Sequence, residues 1–137
     1  MQPDDSYLEK ELSKIETVLS LMEELTGRKD WSMYERIAMG TLLQNAYSGL
    51  EGLFRSLLAE RNVGLPKSER WHVELLQLAR EHGFIPEQIF PEMKDLLYFR
   101  HVHVHGYGHM LHEERLRELA FPSIVACRSV IANLRTI

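Results

Sequence analysis

The stretch MYERIAMGTLLQNAYSGLEGLFRSLLAER, residues 33–61, repeats its apolar side chains every three or four residues. This is the period of an α-helix, whereas apolar side chains alternate along a half-buried β-strand. The apolar positions of the stretch are Ile37, Leu43, Tyr47, Leu50, Phe54 and Leu58. Ser32 comes directly before it, and serine is a preferred N-cap residue. The stretch predicts one long helix whose apolar face needs other helices to cover it.

Three glycines lie inside this predicted helix, at Gly40, Gly49 and Gly52. A glycine in a helix interior costs about 1 kcal/mol relative to alanine. Since a side chain at these positions would hold a neighbour away, we expect another helix to approach closely at each of them.

Apolar residues with the same period predict four further helices, at residues 7–25, 71–82, 87–105 and 113–135. Ser6 is the predicted N-cap of the first of these, with Glu9 completing a capping box, and Pro122 is expected to kink the last. No segment alternates as a strand does. The sequence therefore predicts one all-α domain over residues 1–137, a helical bundle of about five helices. Such a bundle hosts many functions, so function has to come from particular residues.

The composition excludes several classes of protein. Apolar residues make up 45% and charged residues 26%, which is typical of a globular protein. The formal net charge of -4 excludes a surface that binds nucleic acid nonspecifically, so any contact with RNA must be local. An acidic N-terminus and the lack of a long apolar run predict no signal peptide and no membrane span, hence a cytoplasmic location. Cys127 is the single cysteine and is expected to be a buried apolar residue.

Five of the seven histidines lie between positions 101 and 112. The run His101-x-His103-x-His105 has the composition of a metal-binding tract, because imidazole is a common metal ligand. On a helix, however, His101 and His105 share a face while His103 points elsewhere. The nearest carboxylates in sequence are Asp95 and Glu113, so a complete ligand shell is not evident. We expect neither a metal site nor a cofactor.

The same segment contains Arg100, His105 and Tyr107 with the spacing R-x-x-x-x-H-x-Y. This spacing matches the motif of the HEPN superfamily, and further blocks resemble its HepT-like proteins. Those blocks are Phe99-Arg-His101, His105-Gly-Tyr-Gly108, Trp71-His72 followed by Leu75-Leu76, and Tyr47-Ser-Gly-Leu-Glu51. They occur in the usual order, so the likeness spans nearly the whole chain. The chain thus resembles a HepT-like ribonuclease toxin of an MNT/HEPN toxin-antitoxin pair, with an HEPN-type helical bundle.

The resemblance implies a metal-independent endoribonuclease with an RNA substrate, in which Arg100 and His105 are catalytic. It implies a homodimer that brings two copies of the motif to one shared cleft. It also implies a partner, an MNT-type nucleotidyltransferase antitoxin that adenylylates Tyr107. A bulky anionic nucleotide there would block RNA and repel its phosphates. Many relatives carry a second basic residue inside the motif where this chain has His103, which is charged only near or below its ordinary pKa of about 6.5.

Arginine and histidine suit metal-free RNA cleavage. Imidazole exchanges protons near neutral pH, as removal of the 2′-hydroxyl proton and protonation of the leaving 5′-oxygen require. Guanidinium keeps its charge and binds phosphate oxygens in a fork, which stabilises the charge that develops at phosphorus. These two residue types therefore supply all three requirements of the reaction.

Several residues have both a supporting and a purely structural interpretation. Glu51 can orient Arg100 or simply face water, and His72 can reach the cleft, if the third helix lies against the fourth, or pack beside Trp71. His101 is predicted to pack or to support the site. For His103, the choice between such a role and direct participation in the chemistry stays open. The alternative function is a noncatalytic HEPN module that binds a nucleotide or a nucleotidyltransferase partner. A structural dimerisation protein is a third possibility, which leaves the motif residues without a common purpose.

Overall fold

The computed structural model describes residues 3–105 and 111–137, without the side chains of residues 3–6 and 105. Five α-helices and one short 3-10 turn form over these residues, with no β-strand among them, which confirms the predicted all-α bundle. The helices are α1 (Pro3–Thr26), α2 (Met33–Glu60), α3 (Trp71–Glu81), α4 (Phe90–His105) and α5 (Glu113–Leu134), with the 3-10 turn at Glu87–Ile89. Within the described residues, none of the helices combines the length and apolarity needed to cross a membrane.

α2 is the central helix of the bundle, because it packs against each of the other four. Its inner face is fully buried at Tyr47 and Phe54, and the same face carries most of the apolar positions that the sequence pattern identified. α1 and α5 cover one part of α2, and α3 and α4 cover another. As a result, α3 and α4 both pack against α2.

The start of α2 is capped as the sequence predicts. The Ser32 hydroxyl accepts a hydrogen bond from the Glu35 backbone N–H at 3.2 Å, and the Glu35 carboxylate accepts one from the Ser32 N–H at 2.8 Å. The predicted cap of α1 at Ser6 is wrong, since α1 already begins at Pro3. Proline is favoured in the first turn of a helix.

Arg117 fixes the connection between α1 and α2. Its Nη1 donates to the Thr26 carbonyl oxygen at 3.1 Å, and its Nε donates to the Glu113 carboxylate at 2.9 Å. The guanidinium carbon also lies 4.0 Å from the centre of the Trp31 ring. Glu113 in turn accepts a hydrogen bond from the Trp31 backbone N–H at 3.0 Å. These contacts tie the residues just before α2 to the first turn of α5, which sets where α2 begins.

The glycines of α2 follow the expectation of close approach at two positions of three. A Cβ built on Gly40 would lie 3.0 Å from His103 Cε1, and one on Gly49 would lie 2.8 Å from Ile15 Cγ1. Gly52 differs, because no described atom lies within 4 Å of its hypothetical Cβ. Gly40 therefore lets α4 approach and Gly49 lets α1 approach, whereas the prediction was wrong for Gly52.

Alanine at positions 49 and 52 is expected to change stability in opposite directions. Gly52→Ala should raise the free energy of unfolding by about 0.5–1 kcal/mol, because alanine loses less backbone entropy in a helix. Gly49→Ala should lower it by about 1–3 kcal/mol, because the new methyl group overlaps a side chain that is itself packed. Urea denaturation of both variants measures the two changes. An increase for both would show that the α1 interface yields to an extra methyl group.

Candidate functional site

Arg100 lies on α4 at a half-buried position and contacts α2. Its Nε donates a hydrogen bond to the Ser48 hydroxyl oxygen at 2.9 Å. A guanidinium has five N–H groups in a fixed planar fork, and this bond uses the one on Nε. The terminal amino groups carry the other four N–H groups. The serine thus orients the plane of the guanidinium while those amino groups keep the geometry that suits a carboxylate or phosphate.

Glu51 and His72 form a pair between α2 and α3. The Glu51 Oε2 lies 2.7 Å from His72 Nδ1. Glu51 is only 5% exposed, whereas the His72 side chain is 28% exposed. The His72 ring also lies against the Trp71 ring, with 3.5 Å between the ring centres, and the Arg55 guanidinium sits over Trp71 at 5.0 Å. A buried carboxylate and an aromatic ring consequently hold one edge and one face of the imidazole.

Tyr47 connects Arg100 with the glutamate–histidine pair. Burial raises the pKa of the Tyr47 hydroxyl far above its ordinary value, the Glu51 carboxylate raises it further, and the Arg100 guanidinium opposes them. Both charged groups therefore lie near one buried phenol. The Tyr47 hydroxyl has no hydrogen-bond partner among the described residues. We refer to Tyr47, Ser48, Glu51, His72 and Arg100 as the Arg100 cluster.

His103 lies outside the Arg100 cluster, in a groove between α4 and α5. The groove has a volume of about 670 Å³ and is lined by Tyr98, Phe99, His103, Leu111, Arg115 and Leu119, among others. The His103 ring stacks on Phe99 with 5.3 Å between the ring centres. Burial lowers the pKa of His103 below its ordinary 6.5. His103 is thus mainly neutral at neutral pH and adds little positive charge to this groove.

The other predicted site residues lie at the C-terminal end of α4 or beyond it. His101 is exposed on α4, and His105 is the last residue of that helix. The side chain of His105 and the whole of Tyr107 lie outside the described residues. In the part of the chain that is described, no group of three or more His, Cys, Asp or Glu side chains is arranged to hold a metal ion.

Comparison with known protein families identifies the chain. A profile described as HepT-like protein matches residues 38–136, which is most of the chain. The chain belongs to the HepT-like family. HepT-like membership makes it a HEPN toxin-type module, from a family generally associated with ribonuclease activity and typically paired with nucleotidyltransferase antitoxins. No curated protein and no solved structure matches it significantly.

The matched region of this HepT-like chain holds every residue of the Arg100 cluster, whereas α1 lies outside that region. α1 covers α2 from the side of Gly49, through Ile15. The cluster is accordingly built by residues of α2, α3 and α4 that fall in the family region. α1 supplies none of its members.

Tyr47 and Ser48 are the members of the Arg100 cluster that sequence reasoning did not name as site residues. The sequence suggested that Glu51 accepts hydrogen bonds from Arg100, but Ser48 is the acceptor and Glu51 pairs with His72. His72 meets the cluster through Glu51 on α2, and α3 also packs against α4, which is the condition on which the sequence let His72 reach the cleft. The available signal was the spacing within Tyr47-Ser-Gly-Leu-Glu51. Ser48 and Glu51 are three residues apart, and residues three apart share one face of a helix.

Proposed function

We propose that the protein is a metal-independent endoribonuclease toxin that acts in the cytoplasm as a homodimer, with Arg100 and His105 as its catalytic residues. The observation that supports this most is the Arg100 guanidinium, which is half-buried and oriented by Ser48 at 2.9 Å. Membership of the HepT-like family adds a ribonuclease association to that geometry. A fixed cation of this kind stabilises the charge that a phosphate gains in its transition state.

The proposed reaction cleaves the bond between phosphorus and the 5′-oxygen of RNA. The 2′-hydroxyl gives its proton to a general base, and its oxygen forms a bond to phosphorus. The terminal amino groups of Arg100 hold two of the phosphate oxygens. His105 gives a proton to the leaving 5′-oxygen, and the products are a 2′,3′-cyclic phosphate and a 5′-hydroxyl. No redox step or external reactant is required.

A homodimer accounts for RNA binding by an acidic chain. The net charge is -4, so a cleft with one Arg100 is weakly cationic, whereas two copies facing each other double the local positive charge. The α4 residues near Arg100 are suited to contact a second copy, because Val104 is 46% exposed and lies one turn after Arg100. Tyr98 and Val102 are also exposed apolar residues of the same helix.

Neutralisation is proposed to proceed by modification of Tyr107. A nucleotidyltransferase antitoxin of the MNT type transfers an adenylyl group to its hydroxyl, and the added nucleotide occupies the place of RNA next to Arg100. The phosphate of that group is an anion, so it competes directly for the guanidinium. This proposal rests on the pairing that is typical of the family.

Incubation of the purified protein with varied RNAs in EDTA tests the proposed function. Cleavage is expected to survive chelation and to vanish in Arg100→Ala and in His105→Ala, each checked for folding and dimerisation. Arg128→Ala is the matched control, because Arg128 pairs with Glu23 on the exposed seam between α1 and α5 and such pairs contribute little. If the unmodified wild-type protein cleaves none of the RNAs, the noncatalytic binding module replaces the nuclease.

A further inference from the structure

We propose that His72, oriented by the buried carboxylate of Glu51, accepts the proton of the RNA 2′-hydroxyl, so that each protomer supplies its own general base beside Arg100. This inference rests on the proposed function and adds to it a residue outside the Arg100–His105–Tyr107 motif. It also divides the proton transfers between two histidines, with His72 as the acceptor and His105 as the donor.

The contact with Glu51 determines which nitrogen of the His72 ring carries the hydrogen. A carboxylate only accepts hydrogen bonds, so the 2.7 Å contact between Glu51 Oε2 and His72 Nδ1 requires the hydrogen to be on Nδ1. A neutral imidazole with its hydrogen on Nδ1 has its free electron pair on Nε2, at the opposite edge of the ring. Carboxylate–histidine pairs of this geometry fix the tautomer and the orientation of a general base in hydrolytic enzymes.

Glu51 and His72 differ in how much of each is exposed to solvent. Glu51 is almost fully buried, whereas the His72 side chain keeps 28% of its surface exposed. The buried carboxylate contacts Nδ1, so the part of the ring away from that atom is the part proposed to meet the substrate. The Trp71 ring lies 3.5 Å away, centre to centre, and restricts rotation of the imidazole. His72 is therefore fixed in direction but open to a ligand.

His72 and Arg100 are both held by residues of α2. Glu51, which holds His72, and Ser48, which holds Arg100, are three residues apart on α2. Positions three apart on a helix are neighbours on one face, with about 5–6 Å between their Cβ atoms. Arg100 and Glu51 also both act on the buried Tyr47 hydroxyl. The residues that hold the guanidinium and the imidazole are thus neighbours on α2, as the binding of one scissile phosphate and its adjacent 2′-hydroxyl requires.

The balance of the step follows from these positions. His72 Nε2 takes the proton from the 2′-hydroxyl as its oxygen forms the bond to phosphorus. The bond from phosphorus to the 5′-oxygen breaks, and that oxygen receives a proton from His105. After product release, the His72 imidazolium loses its proton to water and His105 regains one. The Glu51 carboxylate stabilises the transient positive charge of His72 and stays ionised throughout.

The test separates proton acceptance from proton donation with two RNA substrates. One is the natural RNA, and in the other sulfur replaces the bridging 5′-oxygen, so that the leaving thiolate needs no proton. His72→Gln is expected to slow cleavage of both substrates by about 10²-fold or more, the typical contribution of a general base. His105→Ala should be slow on the natural RNA and largely restored on the sulfur substrate.

Glu51 is a positioning residue, and a double-variant cycle tests it. Glu51→Gln is expected to lower kcat by about 10-fold with little change in KM, since it acts on the base and not on substrate binding. The double variant Glu51→Gln/His72→Gln should be no slower than His72→Gln alone, because the glutamate has nothing left to orient. A carboxylate that only stabilises the fold would add its effect to that of His72→Gln.

The outcomes distinguish this inference from the proposed function. If wild-type protein cleaves RNA, Arg100→Ala does not, and His72→Gln cleaves normally, His72 is structural and only the further inference fails. Restoration of His72→Gln by the sulfur substrate would make His72 a donor and would also overturn it. Nitrogen-15 NMR of the wild-type imidazole is the readout independent of activity, with a hydrogen expected on Nδ1 and none on Nε2 of the neutral ring. If wild-type protein cleaves nothing, both proposals fall.

Discussion

Lysine at position 100 is expected to slow RNA cleavage by about 10²-fold or more, although it keeps the positive charge. Arg100 is proposed to do two things at once: its Nε binds Ser48 at 2.9 Å, and its terminal amino groups bind the phosphate. A lysine ammonium is a single point on a flexible stem, so it can reach the hydroxyl or the phosphate but cannot bridge both in one plane. The loss should appear in kcat, because the fork acts on charge that develops in the transition state.

Single-turnover cleavage in EDTA measures the effect of Arg100→Lys, with Arg128→Lys as the matched control. Arg128 makes a simple ion pair with Glu23 at 2.5 Å, which a lysine can also make. The control should therefore cleave at the wild-type rate. Full activity of Arg100→Lys would show that a positive charge alone is sufficient and that the planar fork held by Ser48 is not used.

Alanine at position 54 is expected to cause the largest loss of stability, about 3–5 kcal/mol. Phe54 is fully buried on α2, and its ring stacks against the buried Phe84 ring with 6.2 Å between the centres and 15° between the planes. Phe84 lies between α3 and α4, so the pair joins the central helix to that connection. Alanine leaves a cavity that packed neighbours on both sides can fill only in part.

Urea denaturation of Phe54→Ala measures this loss, and Phe121→Ala is its control. Phe121 lies on α5 and is 60% exposed, so its removal is expected to change the free energy of unfolding by no more than about 0.5 kcal/mol. RNA cleavage per folded molecule should be preserved in Phe121→Ala, since α5 supplies no member of the Arg100 cluster. A similar small effect for both would mean that the Phe54 site collapses without strain.

The helices were largely predictable from the sequence because their cause is local. The apolar period of residues 33–61 and the Ser32 cap predicted α2, which begins at Met33. The start of α1 was misplaced, because Pro3 and the acidic residues after it favour a helix start as much as Ser6 does. The glycine at position 52 looked like those at 40 and 49, since sequence alone does not say which side of α2 has a neighbour.

The candidate site was predictable as a set of residues but not as a set of contacts. Arg100, Glu51 and His72 were all named from sequence blocks, and their roles stay predictions. Their pairing depends on how α3 and α4 dock on α2, which a periodic pattern does not encode. Ser48 carried no signal of its own, because a serine in a helix is common and its hydroxyl becomes informative only once Arg100 lies against it.

The crowding of contacts along the middle of α2 limits how the length of this helix can vary. Within residues 40–51, α2 meets His103, Arg100, Ile15 and His72 at positions 40, 48, 49 and 51. Insertion or deletion of one residue there would rotate everything beyond it by about 100° and shift it by about 1.5 Å. Such a change separates Ser48 and Glu51 from their partners and drives a side chain toward α1. We therefore expect insertions and deletions to be tolerated in the connection at residues 61–70. In the segment of α2 at residues 40–51 we expect the number of residues to be fixed.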